Sequence, residues 1–155
     1  MLGKTTLKVC LILEHNEQIL FLEQTAQNGG HFTLPGGKVD SEEFAMEALV
    51  RECREEIGID IQEDNLQLAH VLHTHKIKKS LLTLYFKATK WHGIIETNEL
   101  KKFRHTVWHP LYDLPNTVSE THRMVLERYR QGMTFTAIKM SLAVELSSAD
   151  LQITA

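Results

Sequence analysis

Glu52, Glu55 and Glu56 stand at i, i+3 and i+4 in a stretch whose apolar residues repeat with a helical period. At about 100° per residue, this spacing puts all three carboxylates within an arc of roughly 100° on one helix face. Carboxylates so close repel one another. A hard divalent cation relieves that repulsion; oxygen donors favour Mg²⁺, Mn²⁺ or Ca²⁺ over Zn²⁺, and a substrate phosphate can complete the shell. Taken alone, such glutamates are more often a solvated acidic face, here with Arg51 and Arg54 as partners. Their surroundings decide between the two readings.

The chain runs from Gly37 through five residues to Glu43, then seven more to Arg51-Glu52-Cys53-Arg54-Glu55-Glu56-Ile57-Gly58-Ile59. This resembles the Nudix box, Gly-x5-Glu-x7-Arg-Glu-U-x-Glu-Glu-x-Gly-U with U apolar. Every fixed position is met, with Cys53 and Ile59 in the apolar slots. The resemblance implies that Glu52, Glu55 and Glu56 bind divalent metal, Mg²⁺ or Mn²⁺. It makes Arg51 the arginine that orients a box glutamate, and Glu43 the glutamate that steadies the loop–helix–loop. It also implies that the backbone carbonyl of Gly36 joins the metal shell, that Gly37 and Gly58 are structural, and that the catalytic base is a box glutamate or one on a later loop. Glu56 is the box candidate and Glu99 the loop candidate, the latter also a candidate metal ligand. The reaction implied is metal-dependent hydrolysis of the pyrophosphate bond in a nucleoside diphosphate linked to a group X, with a small nucleotide as substrate.

Residues 84–115 extend the likeness, with Trp91, Gly93, Glu99, Lys102, Trp108, Pro110, Leu114 and Pro115 at comparable positions. One Nudix subgroup carries Asn-x-Glu-Pro-x-Lys in this loop; here Thr97 replaces the Asn and Leu100 the Pro, so the chain departs from it. Glu96 is a weaker substitute for Glu99. Phe21, Phe32, Trp91 and Phe103 could stack a base, although aromatic residues in strands more often pack in the core. His73-x-His75 places two rings on one strand face, but no further ligand has a recognisable zinc spacing.

The elements that must position these residues are legible in outline. Residues 7–13 and 19–24 are apolar and β-favouring, and the polar stretch between them makes a hairpin. A loop covers Thr25–Gly30, and a short extended stretch, 31–34, stops at Pro35-Gly36-Gly37. Met46, Leu49, Val50, Cys53 and Ile57 form one apolar stripe, which gives a helix over about 42–57. Asp40 with Glu43 reads as its capping box and Gly58 as its stop. Further strands are expected at 66–73 and 81–89, with a weaker one at 103–108. A second helix is expected over 119–131, capped by Ser119 and stopped by Gly132. The tail from Met133 to Ala155 has no clear assignment beyond room for a short strand and a helical turn. Strands around one strong helix, with a second helix late, imply a single α/β domain over 1–155: a Nudix-type α/β/α sandwich with a mixed β-sheet.

Composition narrows the partners. The 155 residues are 43% hydrophobic and 24% charged, with a formal charge of −3 and therefore no broad basic field for a nucleic acid. Cys10 and Cys53 sit in apolar patterns, which suits a reducing compartment, and no apolar run is long enough for a signal peptide or membrane span. A cytoplasmic monomer or homodimer is expected. Two other functions stay open: a Nudix-fold sensor that binds a nucleotide without cleaving it, and an RNA-end pyrophosphohydrolase. Retention of every box glutamate argues against the sensor, and the lack of a basic excess against the RNA enzyme. Substrate choice is expected to lie in loops at Thr25–Gly30 and His73–Ser80.

Overall fold

A computed structural model describes residues 3–140 of the chain. Strand β1 (Lys4–His15) lies at the centre of the molecule, and its side chains alternate between two cores. Val9, Leu11 and Leu13 enter one core; Cys10 and Ile12 enter the other. Strand β2 (Gln18–Gln24) divides in the same way, with Leu20 and Leu22 on the first side and Ile19 and Phe21 on the second. Burial on both faces explains why these strands read as nearly continuous apolar runs.

Helix α1 (Ala45–Ile57) closes the first core with Leu49, Cys53 and Ile57. Helix α2 (Glu120–Arg130) closes the second with Val125 and Leu126. Between them lies a mixed sheet formed with strands β3 (Phe32–Thr33), β4 (Gly36–Lys38), β5 (Gln67–Lys76), β6 (Lys79–Ala88), β7 (Phe103–Pro110) and β8 (Phe135–Lys139). The order β3-β2-β1-β6-β5-β8 has β4 pairing with β1 and β7 with β2. Pairs β1·β6 and β5·β8 are parallel and the others antiparallel. The expected α/β/α sandwich is therefore what the chain forms, and both cysteines are buried in it. No helix among the described residues is long and apolar enough to cross a membrane.

Several boundaries differ from the sequence reading. The first hairpin turns on two residues, Asn16 and Glu17, both at positive φ, so its strands run beyond their apolar segments. Helix α1 begins at Ala45 rather than 42. The Asp40 N–H does donate to Glu43 Oε1 at 3.0 Å, but that bond closes a turn ahead of the helix, while Glu47 Oε2 accepts the Phe44 N–H at 2.7 Å. The segment 73–80 is not an open loop: it is the tight end of the β5–β6 hairpin, whose residues pair up to Lys76↔Lys79, and its Thr74 and Lys76 line the cleft described below. In the tail, 135–139 forms the short parallel strand β8, and 141–155 lies outside the described residues. Ser119 caps α2 as expected, accepting the His122 N–H at 3.4 Å.

Gly58 ends α1 at φ 69°, with its N–H on Arg54 O at 3.2 Å. A side chain there meets the left-handed penalty, so Gly58→Ala is expected to lose about 1–2 kcal/mol of stability, read as a lower urea midpoint.

Candidate active site

The site is built where β4 lies between β1 and α1. Gly36 pairs with Cys10 and Gly37 with Val9. A Cβ on Gly36 would run into the Val9 carbonyl and the Cys10 Cα, and one on Gly37 would fall on the Glu52 carboxylate. Two glycines thus let the strand lie flush against β1 while the helix glutamates reach over it.

Arg51 holds the arrangement together. Its guanidinium meets Glu43 through Nε at 3.2 Å and Nη2 at 2.6 Å, a two-point contact that fixes the ring-like geometry of the pair. Nη1 donates to Glu52 Oε1 at 2.9 Å, and Nη2 also reaches Lys38 O at 3.2 Å. Glu55 Oε2 stands 3.5 Å from Nη1. The hydrogen bonds from Arg51 hold the Glu43 carboxyl below its ordinary range, consistent with a permanently ionised clamp.

Glu52 and Glu56, one helical turn apart, line the same cleft. Glu56 is 4% exposed, and its Oε2 accepts a long hydrogen bond from the Gly36 N–H at 3.4 Å. Burial, then the negative charge of Glu52 and of Glu99, push the Glu56 carboxyl well above the usual range. Burial also raises Glu52, against the pull of Arg51. Glu99 comes from the segment before β7. Its Oε1 takes Lys102 Nζ at 3.1 Å, while its Oε2 is buried without a partner among the described residues. Glu55 sits outside this group, its side chain 50% exposed on the rim.

A divalent cation fits these residues. Mutually repelling, partly buried carboxylates with an orphaned oxygen are a hard donor set in need of positive charge. No three candidate side chains among the described residues already stand in a metal-cage arrangement. Glu52, Glu56 and Glu99 are the residues that could hold such an ion, with Glu55 at the rim. The structure brings Gly36 to them through its N–H.

Beside the carboxylates runs a cleft of about 300 Å³. Lys8, Lys38, Lys76 and Lys102 line it, together with the buried polar residues Gln24, Thr33, Thr74 and Thr83. Burial lowers the Lys8 pKa. At its inner wall, His122 bridges Thr33 Oγ1 at 3.0 Å and the Tyr85 hydroxyl at 3.2 Å. Burial, with Lys8 nearby, lowers His122 from 6.5 to about 3, so the ring is neutral in the fold. The unfolded chain takes up the proton at higher pH than the folded chain does. The contribution is therefore complete above pH 6.5 and is lost as pH falls from there towards 3. Between pH 7.5 and 5.0 this costs about 2 kcal/mol. His122→Gln is expected to flatten the fall in urea midpoint over that interval by a matching amount.

Other candidates fall away from the site. Phe21 is fully buried, Phe32 stacks on His109 at 5.4 Å, and Trp91 packs against His15 and Trp108. Phe103 alone of the four lines the cleft. His73 hydrogen-bonds Ser80 at 2.8 Å and contacts only the ring of His75 among the histidines, so no zinc set forms there among the described residues. Glu96 is exposed, and its backbone N–H bonds Ile57 O. Sequence reading missed Lys8, Thr33, Tyr85 and His122. The one available signal was Lys8, a cation inside the apolar run from Leu7 to Leu13.

The family model described as NUDIX domain matches residues 4–129. The chain belongs to the Nudix family. Among curated relatives, the CTP pyrophosphohydrolase of Escherichia coli K12 is 30% identical over 94 residues, which is 59% of this chain and 67% of that protein. An 8-oxo-dGTP diphosphatase of Proteus vulgaris is 40% identical over 63 residues, and this match spans about half of that relative's length (54%) and 41% of this chain. The MutT Nudix hydrolase of Burkholderia pseudomallei superposes with a TM-score of 0.71 at 26% identity, covering 80% of this chain and 97% of that one. The MutT protein of Bacillus halodurans superposes with a TM-score of 0.73 at 18% identity, covering 89% and 92%; that likeness is one of fold.

Proposed function

We propose that this Nudix chain is a cytoplasmic enzyme that hydrolyses the pyrophosphate bond of a nucleoside diphosphate linked to X, using Mg²⁺ or Mn²⁺. The observation that carries this is that the charges of Glu52 and Glu99 both bear on the buried Glu56, and that Glu99 keeps an orphaned buried oxygen, beside a lysine-lined cleft. Nucleoside triphosphates lead as substrates because relatives are named for CTP and 8-oxo-dGTP; ADP-ribose is the other candidate.

When bound, the cation neutralises phosphate oxygens and acidifies a water. The chain's own residues do the rest. Lysines around the cleft attract and hold the polyphosphate. Arg51 fixes Glu52 against Gly37, keeping that carboxylate aimed at the phosphates. Glu56, buried and short of positive charge, accepts the proton of the attacking water; Glu99 Oε2 is the alternative acceptor.

The test is ³¹P NMR of purified protein with Mg²⁺ and a panel of nucleoside triphosphates, 8-oxo-dGTP and ADP-ribose. Monophosphate and pyrophosphate from a triphosphate, abolished by EDTA, are expected. Binding without turnover across the panel would instead make the chain a sensor, and the enzymatic reading would be dropped.

A further inference from the structure

The segment from Gly93 to Lys102 contains no helix or strand, yet it must carry Glu99 to a fixed place opposite the helix glutamates. The last turn of an α-helix leaves its carbonyls without intrahelical partners; this segment takes two of them and adds a second donor to Arg54 O, which already accepts the Gly58 N–H. The Glu96 N–H donates to Ile57 O at 3.0 Å, and the Asn98 N–H donates to Glu56 O at 3.0 Å. The side-chain amide of Asn98 donates through Nδ2 to Arg54 O at 3.3 Å. The Asn98 carbonyl in turn accepts the Leu100 N–H at 3.1 Å. The loop then closes on the next residue, because Glu99 O accepts both the Lys102 N–H at 2.8 Å and the Phe103 N–H at 2.9 Å.

Asn98 is therefore the pivot between the metal-box helix and the loop carboxylate. Its backbone is bonded to Glu56, the residue whose carboxylate feels the charge of Glu99. Its side chain reaches further along the helix, so the two contacts resist rotation of the loop about either one. Gly58 leaves room for this: a Cβ there would stand 3.1 Å from Asn98 Nδ2.

We infer that Asn98 is a positioning residue, whose side-chain amide locks the loop onto the end of α1 and so sets Glu99 Oε2 against Glu52 and Glu56. This rests on the proposed place of Glu99 among the metal carboxylates. Asn98 has no contact with the reacting atoms; it acts through Glu99.

The test is a double-mutant cycle read by calorimetric Mn²⁺ binding to the substrate-free protein, with kcat and KM measured alongside. Asn98→Ala is expected to weaken Mn²⁺ binding and lower kcat by roughly 10- to 100-fold, as loss of a ligand-orienting partner does, with little change in KM. Asn98→Asp keeps the shape but turns an oxygen towards the Arg54 carbonyl, so it should lose at least as much. In a Glu99→Gln background, Asn98→Ala should cost nothing further. An equal loss in both backgrounds would overturn the inference, because Asn98 would then act through the helix alone. No loss in the wild-type background would overturn it as well. If Glu99→Gln itself leaves Mn²⁺ binding and kcat unchanged, the Glu99 reading fails first and the role of Asn98 falls with it. Urea midpoints of each variant show whether a loss reflects unfolding.

Discussion

Glu56→Gln is expected to lower kcat by roughly 10³-fold or more, as removal of a proton acceptor at a metal site does, while leaving the urea midpoint unchanged or higher. The two effects have one cause. Glu56 is almost fully buried and faces the charges of Glu52 and Glu99, which disfavour its ionised form. A neutral amide of the same shape relieves that repulsion and can still accept the Gly36 N–H. A site held in this way trades stability for function. Kinetics and urea denaturation on the same preparation check both halves, and a variant that is inactive because it is unfolded would fail the second.

Replacing the two glycines before the helix should separate folding from catalysis. Gly36→Ala sets a methyl against the Val9 carbonyl and the Cys10 Cα, and backbone in the centre of a sheet cannot give way. A loss of about 3 kcal/mol is expected. Gly37→Ala instead sets its methyl against the Glu52 carboxylate, the far end of a side chain that can swing aside. Stability should stay within about 1 kcal/mol of wild type. Moving the carboxylate out of the grip of Arg51, however, should lower kcat by about 10²-fold. Urea midpoints and kcat for the pair would show the crossed pattern; equal effects on both quantities in both variants would contradict it.

The box was legible because its constraints are local. Helical spacing alone puts Glu52 and Glu56 on one face, and the apolar stripe of Leu49, Cys53 and Ile57 says which face turns inward. What stayed hidden depends on distant partners. The start of α1 is displaced because Glu43, which could have entered the first turn, is instead bound by Arg51 a helical distance away. Strand β4 has the composition of a turn, Gly-Gly-Lys, and becomes a strand only by pairing with β1. The turn at Ile77 and Lys78 carries no glycine or proline, although Lys78 sits at φ 64°, so the end of the β5–β6 hairpin read as an open loop. The inner wall of the cleft draws Lys8, Thr33, Tyr85 and His122 from β1, β3, β6 and α2, and no spacing in the sequence links them.

The proposed chemistry requires the carboxylates of α1 and the loop to hold a divalent ion together. Anomalous diffraction from crystals grown with Mn²⁺ and a non-hydrolysable nucleotide would locate that ion directly. The expected result is a manganese peak among Glu52, Glu56 and Glu99, in contact with the bound polyphosphate. A nucleotide seated in the cleft with manganese elsewhere, or with none at all, would contradict it.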